Sequence, residues 1–423
     1  GGVRGTERPR LPLWLLAFLL GLSQGCGMCF YQSSAGYFAE SFGIQKYFVY
    51  ACAAMYGTAI LTFPLQRTLD ERLDDTCGIR QTFRFRVLCS NTCVAVCLLA
   101  MSMVPVVAGP GGGLGLVLSI GACLGFFTST LLSSTLQLLG AMDSTLYPFA
   151  FLGQTTAGVY SNVAAAAFHF VPGCAEGSYV GFYAVAAVSV CVVTMMYLVY
   201  ERVGALAGTY EYHESLQSEQ RLVVSLSQMA AQPVQEGKGS AIDKIEEVRA
   251  SSPSTLPLLC FSMAVCQALS ISINMSLTPL ANQIALGDFG FGEQIVLVKL
   301  LADFVGRSTF LMLQFAGVMA LVSRSPGCHR AHGFLVWALC ASRVPAWVLL
   351  LLRALGTLTT WPGSNGVLLW AVWLPLVSTG ALSSSWCGVI ASVAADKHQR
   401  RTVGMLMSFS VYLGFVIGVV AAL

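Results

Sequence analysis

Charge is scarce in this chain. Asp, Glu, Lys and Arg make up 10% of its 423 residues, against about 25% in a soluble domain. That shortfall excludes a globule whose surface faces water on all sides. Histidine is scarcer still, with five residues. None accompanies Cys89, Cys93 and Cys97, which form a stripe at helical spacing. The mixed Cys and His sets of metal sites are therefore missing there, and no metal or cofactor is expected. No His-Glu-x-x-His occurs and no two aspartates share an apolar run, which argues against an intramembrane enzyme. The basic residues lie in short loops rather than in a stripe interleaved with aromatics, so nucleic acid is not an expected partner.

What fills the chain is apolar: 56% of residues are hydrophobic and the mean hydropathy is +0.71. A bilayer-spanning helix takes about 20 residues. Eleven apolar runs of suitable length can be marked, at residues 11–32, 47–65, 87–107, 114–139, 149–171, 179–200, 256–280, 295–322, 334–352, 367–393 and 403–423. The expected fold class is an all-α polytopic membrane protein with eleven transmembrane helices. Arg4, Arg8 and Arg10 precede a first run too long for a signal peptide, so that run is read as a span. The chain begins at Gly1, and a native start upstream is expected.

Basic residues alternate between connections. Arg67, Arg72, Arg80, Arg84 and Arg86 follow the second run, Arg324 and Arg330 the eighth, and Lys397, Arg400 and Arg401 the tenth. The intervening loops hold Lys46, with Arg353 at a run's edge. The positive-inside rule then puts the N-terminus in the cytosol and the C-terminus outside. The polar stretch after the sixth run divides the chain into a six-helix half (residues 1–203), a cytosolic linker (204–255) and a five-helix half (256–423). Gly109 to Gly115 lacks the Gly-Lys-Ser/Thr ending of a phosphate loop and is read as an outer turn. Cys26-Gly-Met-Cys29 has redox spacing but sits mid-run, so it is read as helix packing. Asn274-Met-Ser276 matches a glycosylation acceptor inside an apolar run and should be unused.

One stretch breaks the apolar pattern: Lys299-Leu-Leu-Ala-Asp303-Phe-Val-Gly306-Arg307, inside the eighth run. Asp303 and Arg307 are four residues apart and so share a helix face. A charge at the bilayer centre costs about 2.5–3.5 kcal/mol on insertion scales, and such residues usually face a bundle interior or a watery cavity. The pair is read as facing a substrate cavity.

The Asp-x-x-Gly-Arg of Asp303, Gly306 and Arg307 resembles the signature of the equilibrative nucleoside transporters. Phe18-Leu-Leu-Gly-Leu, Ala35-Gly-Tyr-Phe38, Gly153-Gln154 with Ala157-Gly158, Ser342-Arg343-Val-Pro345, Gly380-Ala-Leu382, Thr402-Val-Gly404 and Gly414 to Gly418 are similar to other elements of that family, in order and across nearly the whole chain. The resemblance implies a fold related to the major facilitator superfamily with one helix fewer. It also implies alternating access by rocking of two halves, and equilibrative transport of a nucleoside or nucleobase across the plasma membrane, as in purine salvage. A proton-coupled carrier, or a facilitator for another small polar solute, is the alternative. Arg307 argues against a proton-carrying Asp303, because a neighbouring cation stabilises the carboxylate charge. The substrate-binding residues implied are Asp303, Arg307, Gln32, Met28 and Gln154. Arg307 offers a planar donor fork and Asp303 an acceptor. Arg343 is expected near the inner end as a gate lock, and Arg353 at the outer interface. Gly27, Met28 and Cys29 stand where the family has Pro-Trp-Asn, and Leu132 where it has a substrate-contacting Gln, so base preference does not transfer.

Overall fold

A computed structural model of the chain describes residues 12–44, 46–169, 176–207, 210–211, 256–272, 291–315, 317, 326–355, 365–394 and 400–421. Backbone amides in lipid must be satisfied within the segment, which leaves the helix as the spanning form for these runs. The first half of the chain holds α1 (Leu13–Ser33), α2 (Ala35–Phe42), α3 (Tyr47–Cys77), α4 (Ile79–Gly112), α5 (Leu114–Met142), α6 (Tyr147–Ala167) and α7 (Glu176–Arg202). The second half holds α8 (Leu256–Ser272), α9 (Phe291–Phe315), α10 (Pro326–Ala341), α11 (Arg343–Ala354), α12 (Leu374–Ala394) and α13 (Arg400–Val420). Nearly all of the expected linker 204–255, its candidate surface helix included, lies outside the described residues, as do Cys174, Asn274 and Arg324.

The molecule is a multi-pass helical membrane protein. Among the described residues, eight helices are long and apolar enough to cross a membrane. The expected count was eleven. Helices α6, α8 and α9 coincide with expected runs but fall short of that measure: α8 is short, and α9 carries Lys299, Asp303 and Arg307. Three local expectations are revised. Helix α4 continues through Gly112, so the turn expected at Gly109 to Gly115 contracts to Gly113. The ninth run is two helices, broken at Ser342; Pro345 lacks the N–H that would bond back to the Ala341 carbonyl. The tenth begins as a π-helical turn, Leu368–Trp373, before α12.

Helix α1 packs on α6, and α5 on α3 and α4, in one half; α13 packs on α8, and α12 on α9 and α10, in the other. The halves meet where α13 lies against α3 and α5 and where α9 lies against α6. Small residues set the closest approaches. A Cβ at Gly21 would overlap the Ala150 carbonyl, and one at Gly25 would lie 2.6 Å from the Ala157 methyl. Membrane helices associate through such small-residue contacts. Gly21-Leu-Ser23-Gln-Gly25 also matches the Gly-x-Ser-x-Gly string of hydrolases. Inside α1 it has no strand-to-helix elbow, and Ser23 donates instead to Asn91 Oδ1 at 2.6 Å.

Candidate functional site

Between the halves lies a cavity of about 100 Å³, below the ~300–1,000 Å³ of open small-molecule sites. Helices α1, α3, α6, α8, α9 and α13 all contribute to its wall. Asp303, Arg307, Gln32, Met28 and Gln154 all line it. The structure thus brings the five residues singled out in the sequence, from three separate helices, around one space.

Helix α9 supplies the charged wall. Lys299, Asp303 and Arg307 recur at four-residue intervals, and Gly306 lets the helix seat. A Cβ at Gly306 would overlap the Ser378 carbonyl of α12, so the glycine of the motif is a packing requirement. Asp303 and Arg307 face the same cavity but do not pair with each other among the salt bridges of the described residues. Asp303 Oδ1 instead accepts from Arg343 Nη2 at 2.6 Å, and Lys299 Nζ lies 3.4 Å from Oδ2. Arg343, expected near the inner end as a gate lock, is thus a direct partner of Asp303. The break at Ser342 starts α11 with Arg343, and Gly380 of α12 gives its side chain room: a Cβ there would meet the Arg343 stem.

Arg307 turns the other way. Its Nη1 donates to the Phe151 carbonyl of α6, and its guanidinium lies 5.5 Å from the Phe151 ring centroid, within reach of a cation–π attraction. It therefore bridges the two halves. Its Nε is buried with no partner. Exposures of 7% for Lys299, 8% for Asp303, 8% for Arg307 and 2% for Arg343 make this a desolvated cluster.

Polar and aromatic groups complete the wall. Gln32 Nε2 donates to the Tyr56 hydroxyl, and the Tyr56 ring stands 4.7 Å from that of Phe415. Near Met28, Gln24 Nε2 donates to the Tyr412 hydroxyl at 3.2 Å, joining α1 to α13. Phe63 packs on Phe409 and Tyr412, at 5.4 and 6.1 Å. At the end bearing the start of α6, Gln314 Nε2 donates to the Thr145 carbonyl at 2.8 Å. There too, Gly404 of α13 sits against the Leu136 backbone. The two halves touch at that end.

Sequence reasoning missed Lys299, Tyr56, Gln267 and Phe415 as cavity residues. Lys299 alone had left a signal, its four-residue spacing from Asp303.

No family model matches the chain, and no curated protein matches it by sequence. Solved structures do match it in fold. The human organic anion transporter MFSD10 superposes with a TM-score of 0.56 at 14% identity, over 98% of this chain and 94% of that one. The proton:xylose symporter XylE superposes with a TM-score of 0.55 at 12% identity, over 97% and 86%. The chain has the fold of major facilitator superfamily transporters.

Proposed function

We propose that this chain is a facilitative carrier that moves a nucleoside, or a nucleobase, down its gradient by alternating access. The observation that carries the reading is a cavity between the halves walled by Asp303, Arg307, Gln32, Met28 and Gln154. MFSD10 and XylE, which share this fold, are both transporters, and a site at the interface of two halves suits rocking. In this reading Arg307 leaves the Phe151 carbonyl to donate to solute hydroxyls or ring acceptors. Asp303, held by Arg343, accepts from the solute. Gln32 and Tyr56 read the base edge, and Met28 and Phe415 bound its face. Contacts such as Gln314 to Thr145 are the cytosolic gate in its closed position, with the N-terminus cytosolic and the linker 204–255 joining the halves.

Two cations on the Asp303 carboxylate oppose a proton-carrying role. Radiolabelled uptake into proteoliposomes of purified protein, with a panel of nucleosides, nucleobases and sugars, tests the reading. Saturable uptake of a nucleoside or nucleobase supports it; uptake of sugars alone overturns the solute assignment.

A further inference from the structure

The cavity's charges do not balance. Among the described residues three cations, Lys299, Arg307 and Arg343, stand with one carboxylate, Asp303, and each is more than nine-tenths buried. Asp303 spends both oxygens on Arg343 and Lys299. Arg307 has a backbone carbonyl and an aromatic face for company, and its Nε has no partner. Lys299 and Arg307 both line the cavity, whereas Arg343 stands behind Asp303 and outside the lining. Buried charge is costly unless paired, and a low-dielectric cleft lined by one sign of charge concentrates the opposite sign.

We propose that the cavity wall bearing Lys299 and Arg307, which stand about two helix turns apart on α9 on either side of Asp303, binds an anionic group during transport. The group belongs to the solute, as a carboxylate or phosphate, or is an inorganic anion held beside a neutral solute. Arginine matches such oxyanions with its planar fork, and lysine serves as a point charge. The inference rests on the carrier reading of this cavity and narrows its solute class. Gln32, Tyr56 and Gln154 remain to recognise the uncharged part.

Proteoliposomes test it with matched pairs: uracil against orotate, and uridine against uridine 5′-monophosphate, each with chloride and with chloride replaced by a bulky sulfonate. If the solute carries the charge, the anionic member of a pair is taken up about tenfold more efficiently, a difference of about 1.4 kcal/mol in transition-state binding, whatever the chloride. If an inorganic anion does, uracil and uridine uptake falls about tenfold without chloride. Either result supports the inference. Lys299→Gln should then reduce the anion preference or the chloride dependence severalfold per folded molecule, while Lys299→Arg retains it. Gel filtration of each variant separates misfolding from lost selectivity. Faster uptake of the neutral members, indifferent to chloride, overturns the inference and leaves the carrier reading standing. No uptake of any probe overturns both. An anion preference that survives intact in well-folded Lys299→Gln also overturns it.

Discussion

Removing one partner of a buried ion pair costs about 3–5 kcal/mol, because the other charge is left uncompensated. The Asp303 cluster makes that cost asymmetric. Arg343→Leu leaves Asp303 with Lys299 at 3.4 Å, so its cost should fall near the lower figure, about 3 kcal/mol. Asp303→Asn strips the counter-charge from Arg343 and Lys299 together and leaves three buried cations, so it should reach the upper figure, about 5 kcal/mol. Adding Arg343→Leu to Asp303→Asn then removes one of the stranded cations. The double variant should be more stable than Asp303→Asn alone by about 1–2 kcal/mol, so that the two single costs exceed the double cost by about 4–5 kcal/mol, more than the roughly 0.5–3 kcal/mol usual for contacting residues. Denaturant-titrated unfolding of the four proteins in one detergent measures the cycle. A double variant less stable than Asp303→Asn would refute the charge accounting and with it the role given to Arg343.

Three further outcomes are expected. Gly306→Val should lower stability by about 1–3 kcal/mol through overpacking against the Ser378 backbone, read as less folded protein on fluorescence-detected gel filtration; Ser308→Val, two residues on, should not. Gln32→Leu, which removes the amide bonded to Tyr56, should shift the ratio of purine to pyrimidine uptake more than total uptake, and an unchanged ratio would reduce Gln32 to a packing role. Gln314→Ala, which loses the contact with the Thr145 carbonyl, should speed modification of an introduced cysteine at Thr145 by a cytosolic-side thiol reagent, and unchanged labelling would mean that the contact does not hold that end closed.

The helices were legible in the sequence because a bilayer demands about 20 apolar residues per crossing. The break at Ser342 and the π-turn at Leu368–Trp373 were not, because uniformly apolar residues carry little positional information. Asp303 and Arg307 stood out because charge in such a run is costly, and their shared cavity followed from spacing. Their separate partners did not. Arg343 lies 40 residues from Asp303, and Phe151 meets Arg307 across the two halves; neither contact leaves a periodicity. Gly306 and Gly380 looked like family marks, and only the packing revealed them as seats for the Ser378 carbonyl and the Arg343 side chain.

In the proposed function, solute crosses through the cavity held by Arg307. Initial-rate and equilibrium uptake of adenosine, inosine and uridine, with uridine 5′-monophosphate alongside, should be compared in proteoliposomes of the parent protein and of Arg307→Lys. Lysine keeps the charge and loses the planar fork. The parent should fill vesicles to the external concentration and no further. Arg307→Lys, folded and inserted to the same extent, should transport with a half-saturation concentration raised about tenfold, equivalent to about 1.4 kcal/mol of lost binding. Parent-like uptake per inserted Arg307→Lys molecule would rule out Arg307 as a solute-holding group.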